Sequence, residues 1–211
     1  SDLGAIALTL IVEGRFHSPI DQLFRDRVAE PLGLQSTRYL PPASWHNRIA
    51  PTERDPWRGR LVWAEVHDEN AAFLGGVSGH AGLFSNALDL LTFGEWLLRQ
   101  RSGAPGASNE PHVAASVVHQ FTQRQDLVPG SSRALGWDTP APGSSAGARL
   151  SGESFGHTGF TGTSIWLDPS RELVIVLLSN RVNPTRENPR LGPLRALVAD
   201  RAVEVLESQA R

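Results

Sequence analysis

The stretch Gly156-His157-Thr158-Gly159-Phe160 sets an ionisable imidazole, a hydroxyl and a glycine at the mouth of an expected β-strand. A strand built only for packing prefers β-branched and aromatic residues and avoids glycine, so this composition asks for chemistry. Gly159 removes a side chain where a substrate would lie along the strand, and the next amide, on Phe160, could then point at a bound carbonyl oxygen. A backbone N–H so placed contributes about 3–4 kcal/mol to an oxyanion-like transition state. His157 and Thr158 would supply a switchable donor and a hydroxyl beside it. The competing reading is a strand-entry glycine cluster with a surface histidine.

A second group lies in "VHDEN" and "GHAG": His67, Asp68, Glu69 and His80. Two histidines and two carboxylates could suggest a divalent metal. No pair shows H-x-x-x-H spacing and no helix obviously presents them together, so no metal is expected. Asp68 and Glu69 are expected to satisfy loop amides, with Gly79 and Gly82 allowing a tight turn around His80, a candidate pocket residue. A self-contained Ser-His-Asp triad is not expected, because "GVSGH" lacks the final glycine of a G-x-S-x-G elbow. No cofactor is called for.

The elements that must position these residues follow from pattern. Residues 3–12 are apolar all round and read as a buried helix. "SPIDQLFRDRVAEPLGL" reads as a helix with Ser18 at its N-cap and Pro19 at its first position. Residues 36–70, with Trp45, Trp57 and Trp63, read as a long ordered loop. Asn86 and Asp89 resemble a capping box at the head of the next helix, and "HVAASVVHQFTQ" reads as a shorter one. A short strand is expected at "ALGWD". "TSIWLD", a "DPSR" turn and "ELVIVLLSN" form a hairpin, with 173–178 apolar enough for a central strand. The chain closes on an amphipathic helix with Leu194, Leu197, Val198, Val205 and Leu206 on its inner face. Helices first, then antiparallel strands, then a covering helix is α+β organisation.

Composition narrows the function. The chain has 211 residues, 40% apolar and 20% charged, and a net charge of −2. That length reads as one domain, mainly helical with loops over 1–152, and strands plus the closing helix over 153–211. Near-neutral charge points away from nucleic acid, and no run is long enough to span a membrane. Cysteine is absent, so there is no thiol nucleophile. Lysine is absent too, all 20 basic residues being arginine, and the one tyrosine, Tyr39, sits in a Pro-flanked loop. A mechanism needing a lysine base cannot be completed inside these residues. With no methionine, the chain is expected to begin inside something larger or after processing.

The segment "FGHTGFTGTSIWLDPSRELVIVLLSNRVNP" resembles the third motif, following hairpin and next strand of the serine β-lactamase and penicillin-binding-protein superfamily. It is most similar to the class C β-lactamase-like branch of esterases and D-alanyl-D-alanine carboxypeptidases, whose third motif is K-T-G or H-T-G. "RVAEPLGLQSTRYLPP" and "VHDENAAFLGGVSGHAGLFSNALDLLTF" resemble further segments, so the likeness covers nearly the whole chain. It implies a β-lactamase/transpeptidase-like α+β fold truncated at its N-terminus. "SDLGAIALTLI" is similar to the residues after the family's second motif, which makes Ser1 and Asp2 the last positions of Y-S-D. The S-x-x-K nucleophile, its lysine and the tyrosine would then lie upstream of residue 1, in a missing N-terminal part of the same protein.

The resemblance implies an acyl-enzyme mechanism on an ester or amide carbonyl of a small-molecule or peptide substrate, in a periplasmic or secreted bacterial protein. An unperturbed imidazole has a pKa of about 6.5, so His157 in place of lysine attracts a carboxylate weakly at neutral pH, which tilts the reading toward neutral esters. This chain alone is expected to be inactive. The alternative is a non-catalytic remnant or binding module of the same fold.

Overall fold

A computed structural model describes residues 2–209. The chain forms two compact units, residues 1–89 with 182–187 and residues 90–181 with 188–211.

In the first unit, helix α1 (Asp2–Phe16) forms where the all-round apolar run predicts it. It is not buried, however. None of its residues is buried, and Leu3, Leu10 and Ile11 are 77%, 64% and 65% exposed. The apolar run gives the helix, and among the described residues little covers the side carrying Leu3, Leu10 and Ile11. Helix α2 (Ile20–Phe24) has Pro19 at its N-cap and continues as a π-helical turn over Arg25–Ala29. The Ile20 N–H donates to Glu13 Oε1 at 2.8 Å, so a carboxylate from α1 takes the role expected of Ser18.

Residues 36–70 are ordered and carry short elements. These are β1 (Arg38–Tyr39), a 3-10 turn over Ala43–Arg48, and the antiparallel pair β2 (Arg54–Asp55) and β3 (Arg60–Leu61). Helix α3 (Glu69–Phe73) follows, then β4 (Leu83–Phe84), which pairs with β1. Buried polar links replace a large apolar core here. The Glu53 carboxylate takes bonds from His67 Nε2 at 2.8 Å and from the Arg186 backbone N–H and guanidinium. Burial pushes the Glu53 pKa up, but the Arg186 and His67 bonds outweigh it and bring it down to about 2. Asp55 binds Arg58 Nη1 at 2.5 Å and the Trp57 N–H at 2.8 Å.

Helix α4 (Ala87–Ser102) leads into the second unit. Asn86 Oδ1 accepts from the Asp89 N–H at 2.8 Å, which is half of the expected capping box. The Asp89 carboxylate turns instead to the Ser36 N–H and the Thr37 hydroxyl, both at 2.7 Å. Helix α5 spans Ala115–Thr122. The "ALGWD" segment forms only isolated bridges, Arg133 to Asp138 and Asp138 to Gly156, because Leu135 and Gly136 turn the chain between them.

Strands β5 (Phe155–Thr158), β6 (Thr163–Asp168) and β7 (Leu173–Leu178) form an antiparallel sheet in that order. The β6–β7 turn matches the expected one. Asp168 accepts from the Ser170 N–H, Pro169–Arg171 make a 3-10 turn, and Glu172 takes φ 51°. The central strand is β6, not 173–178. It is the more buried of the two, and no described strand pairs with the outer edge of β7. Trp166 sits between Gly156 and Ile175 in register, and a Cβ on Gly156 would strike the Trp166 ring.

Helix α6 (Leu191–Gln209) covers this sheet, but of the expected face only Val198 packs against the core beneath it. Leu191, Ala199 and Val203 are buried, whereas Leu194, Leu197 and Val205 are 44%, 52% and 55% exposed. The core under the helix is Ala146, Trp166, Ile175 and Ala199. Small side chains let a helix approach a bulky indole, and this packing outweighs the leucine pattern. Among the described residues no helix is long and apolar enough to cross a membrane.

Candidate active site

The expected motif residues lie at the exit of β5. Register pairs His157 with Ile165 and Thr158 with Ser164. Strand alternation therefore sends the His157 and Thr158 side chains to opposite faces of the sheet, rather than side by side. The Gly159 N–H donates to the Thr163 carbonyl at 2.8 Å, and Gly162 N–H closes a turn onto the Gly159 carbonyl at 3.2 Å. Alternate N–H groups of a strand point to opposite edges. The Thr158 amide therefore faces the edge away from β6, on which Gly156 exchanges two hydrogen bonds with Asp138, and the Phe160 N–H, trans to the Gly159 carbonyl that the turn holds, points out of the hairpin. A Cβ on Gly159 would meet the Thr163 hydroxyl. Glycine at this position thus serves the hairpin's closure.

His157 is exposed, and both ring nitrogens are engaged. Nδ1 lies 2.9 Å from the Thr158 carbonyl and Nε2 lies 3.3 Å from Arg133 Nη1. A carbonyl can only accept and a guanidinium can only donate, so the two contacts match an Nδ1 that donates and an Nε2 that accepts. Arg133, whose Nη1 also lies 3.9 Å from Asp138 Oδ2, thus brings a guanidinium to the imidazole, a pairing that sequence spacing does not reveal. Two further arginines brace the turn. Arg181 Nε donates to the Phe160 carbonyl at 2.6 Å, and Arg195 Nη2 donates to the Gly159 and Thr163 carbonyls at 2.6 and 2.8 Å.

The second candidate group behaves differently. His80 Nδ1 contacts the Ser78 hydroxyl at 2.8 Å and Nε2 contacts Asp68 Oδ1 at 2.8 Å. This is a Ser-His-Asp chain that the sequence pattern does not predict. Its ring is reversed relative to a catalytic triad, in which Nε2 serves the serine. Ser78 is 2% exposed, and Asp68 also caps α3 through the Ala71 N–H. Burial pushes the Asp68 pKa up, but the Ala71 and His80 bonds outweigh it and leave it lowered. The chain reads as a staple across the 66–80 loop. Gly79 fits the same role, since a Cβ there would strike Thr9 and the Ala5 carbonyl of α1. A fluorophosphonate applied to the 211-residue chain should leave Ser78 unmodified, as read by intact mass; an adduct on Ser78 would restore the triad reading.

Asp2 opens α1, and Ser1 lies outside the described residues. Asp2, Asp68 and His80 each bring one donor atom to within 4.8 Å of the others, a grouping that could hold a divalent cation. The four residues His67, Asp68, Glu69 and His80, not expected to bind metal, do not converge as a group. His67 goes to Glu53 and Glu69 to Arg186.

Comparison with known proteins bears on these geometries. The family model described as Beta-lactamase matches residues 1–200. A Salmonella schwarzengrund protein named "Putative D-alanyl-D-alanine carboxypeptidase" is 34% identical over 212 residues, covering 92% of this chain and 47% of that protein. The chain spans about half the length of the curated relatives it matches. Among solved structures, a beta-lactamase from Mycobacterium bovis superposes with a TM-score of 0.65 at 22% identity, over 98% of this chain and 63% of its own. The octameric penicillin-binding protein homologue from Pyrococcus abyssi gives 0.64 at 17%, over 98% and 42%. These likenesses share the β-lactamase/transpeptidase-like α+β fold.

Proposed function

This chain belongs to the beta-lactamase family, and we propose that it is the C-terminal portion of a serine hydrolase working through an acyl-enzyme. In this reading 1–211 is one partial domain, mainly helical with loops over 1–152, with the strands and closing helix over 153–211. An upstream serine Oγ forms a bond to an ester or amide carbonyl carbon. Its proton passes to an upstream lysine–tyrosine pair, the carbonyl electrons move onto oxygen, and the leaving group departs when the carbonyl re-forms. Water then releases the acyl group. His157, Thr158, Gly159 and Phe160 form the wall of that site, with the Phe160 amide receiving the oxyanion, and Ser1 and Asp2 close the second motif.

The observation that carries this reading is the orientation of the Gly159–Phe160 peptide, whose N–H points out of the hairpin. The 47% share of the relatives' length supports an upstream part, and the uncovered apolar side of α1 offers it a seat. The Arg133 guanidinium at His157, shared with Asp138 at 3.9 Å, is compatible with a carboxylate-bearing D-alanyl peptide as well as a neutral ester.

The test uses the full-length polypeptide containing this chain. A nitrophenyl ester, a D-Ala-D-Ala peptide and a chromogenic cephalosporin are assayed side by side, with fluorophosphonate labelling read by peptide mass. Turnover of at least one substrate with label on an upstream serine is expected. No turnover and no upstream label would sink the reading.

A further inference from the structure

We propose that Arg195 is a positioning residue that holds the Phe160 amide in the orientation an oxyanion donor needs; this rests on the reading of that amide given above. Arg195 stands on α6, and its Nη2 donates to the Gly159 carbonyl at 2.6 Å and the Thr163 carbonyl at 2.8 Å. A trans peptide is planar, with its C=O and N–H pointing in opposite directions. Whatever fixes the Gly159 oxygen therefore fixes the Phe160 hydrogen on the other side. Rotating this peptide to turn the N–H inward would break the Arg195 bond and the Gly162 N–H bond at 3.2 Å together. It would also point the N–H at a cation.

The clamp is unusual in its chemistry. Arg195 Nε is buried with no acceptor, and no carboxylate among the described residues pairs with the side chain. Burial first, and the nearby Arg181 second, push its pKa below the usual arginine value. A half-buried charge without a counter-ion carries a desolvation cost, and a neutral donor could have closed a hairpin. What the charge adds is polarisation. A guanidinium bonded to the Gly159 oxygen draws electron density through the peptide and makes the Phe160 N–H a stronger donor. Arg181 holds the next carbonyl, on Phe160, at 2.6 Å, so both peptides flanking Phe160 are fixed from behind.

The experiment compares wild type, Arg195→Ala, Arg195→Lys and Phe160→Pro in the full-length enzyme. Arg195→Ala should lower kcat by roughly 10- to 100-fold, less than the loss of the donor itself, with KM within about twofold. Added methylguanidinium should restore part of that kcat in Arg195→Ala and none in Phe160→Pro. A merely structural arginine would shift melting and leave kcat below the melting range untouched. Should Arg195→Ala fail to fold, Arg195→Lys decides. Its single ammonium cannot reproduce the planar fork, so a reduced kcat at unchanged KM supports the clamp and a wild-type kcat overturns it. If Phe160→Pro matches wild type, the oxyanion reading fails; if Phe160→Pro is impaired but the Arg195 variants are not, the clamp alone fails.

Discussion

Phe160→Pro in the full-length protein should reduce turnover by about 10²–10³-fold while leaving KM within a few-fold, because it deletes one N–H and little else. Phe160 occupies the second position of the turn that Gly162 N–H closes onto the Gly159 carbonyl at 3.2 Å, a position where proline's fixed φ is favoured. Its φ is not positive, and glycine precedes it, so the backbone accepts the ring. The substitution also removes the aromatic face beneath the Arg181 guanidinium, 4.2 Å from its carbon. Phe160→Ala controls for that loss and should retain most of the activity. Steady-state kinetics on a nitrophenyl ester would separate the two. Equal turnover in Phe160→Pro and Phe160→Ala would mean that this amide receives no charge.

Glu53→Gln should destabilise the protein by about 2–3 kcal/mol near neutral pH. Removing one partner of a buried ion pair costs about 3–5 kcal/mol, and Arg186, with 35% of its side chain exposed, recovers part of that in water. The effect carries a pH signature. The folded pKa of about 2 lies below the ordinary value of 4.5, so the contribution is present in full above about pH 4.5. It fades as pH falls toward 2. Denaturant melts of wild type and Glu53→Gln should therefore converge between about pH 4.5 and pH 2. A constant difference across that window would place the stabilisation in hydrogen-bond shape rather than charge.

The hairpin is legible in local sequence, while the Ser18 cap, the "ALGWD" strand and the long-range contacts are not. The "DPSR" turn with its flanking strands is specified within sixteen residues, and the structure repeats it at Thr163–Leu178. The family likeness rested on quoted motifs and holds over residues 1–200. The exposed side of α1 was misread because an all-round apolar pattern says that cover is needed, not that these residues supply it. The inner face of α6 was misread because leucines dominate any count by hydrophobicity, while the fit to Trp166 selects Ala199. Arg133 lies 24 positions before His157, and Arg195 lies 36 positions after Gly159. Neither sits in a pattern of its own. Only folding brings a guanidinium to those carbonyl and imidazole atoms.

Ala199 and Arg195 are four residues apart on α6, one helical turn, so they face the same way. One rod thus seats against the Trp166 indole and grips the Gly159 oxygen. Repacking beneath it, as with a bulkier residue at 199, would lift the rod and slacken the grip in a single movement. In the proposed hydrolase, damage to the hydrophobic interior would then surface first as sluggish turnover, well before the protein lost its shape.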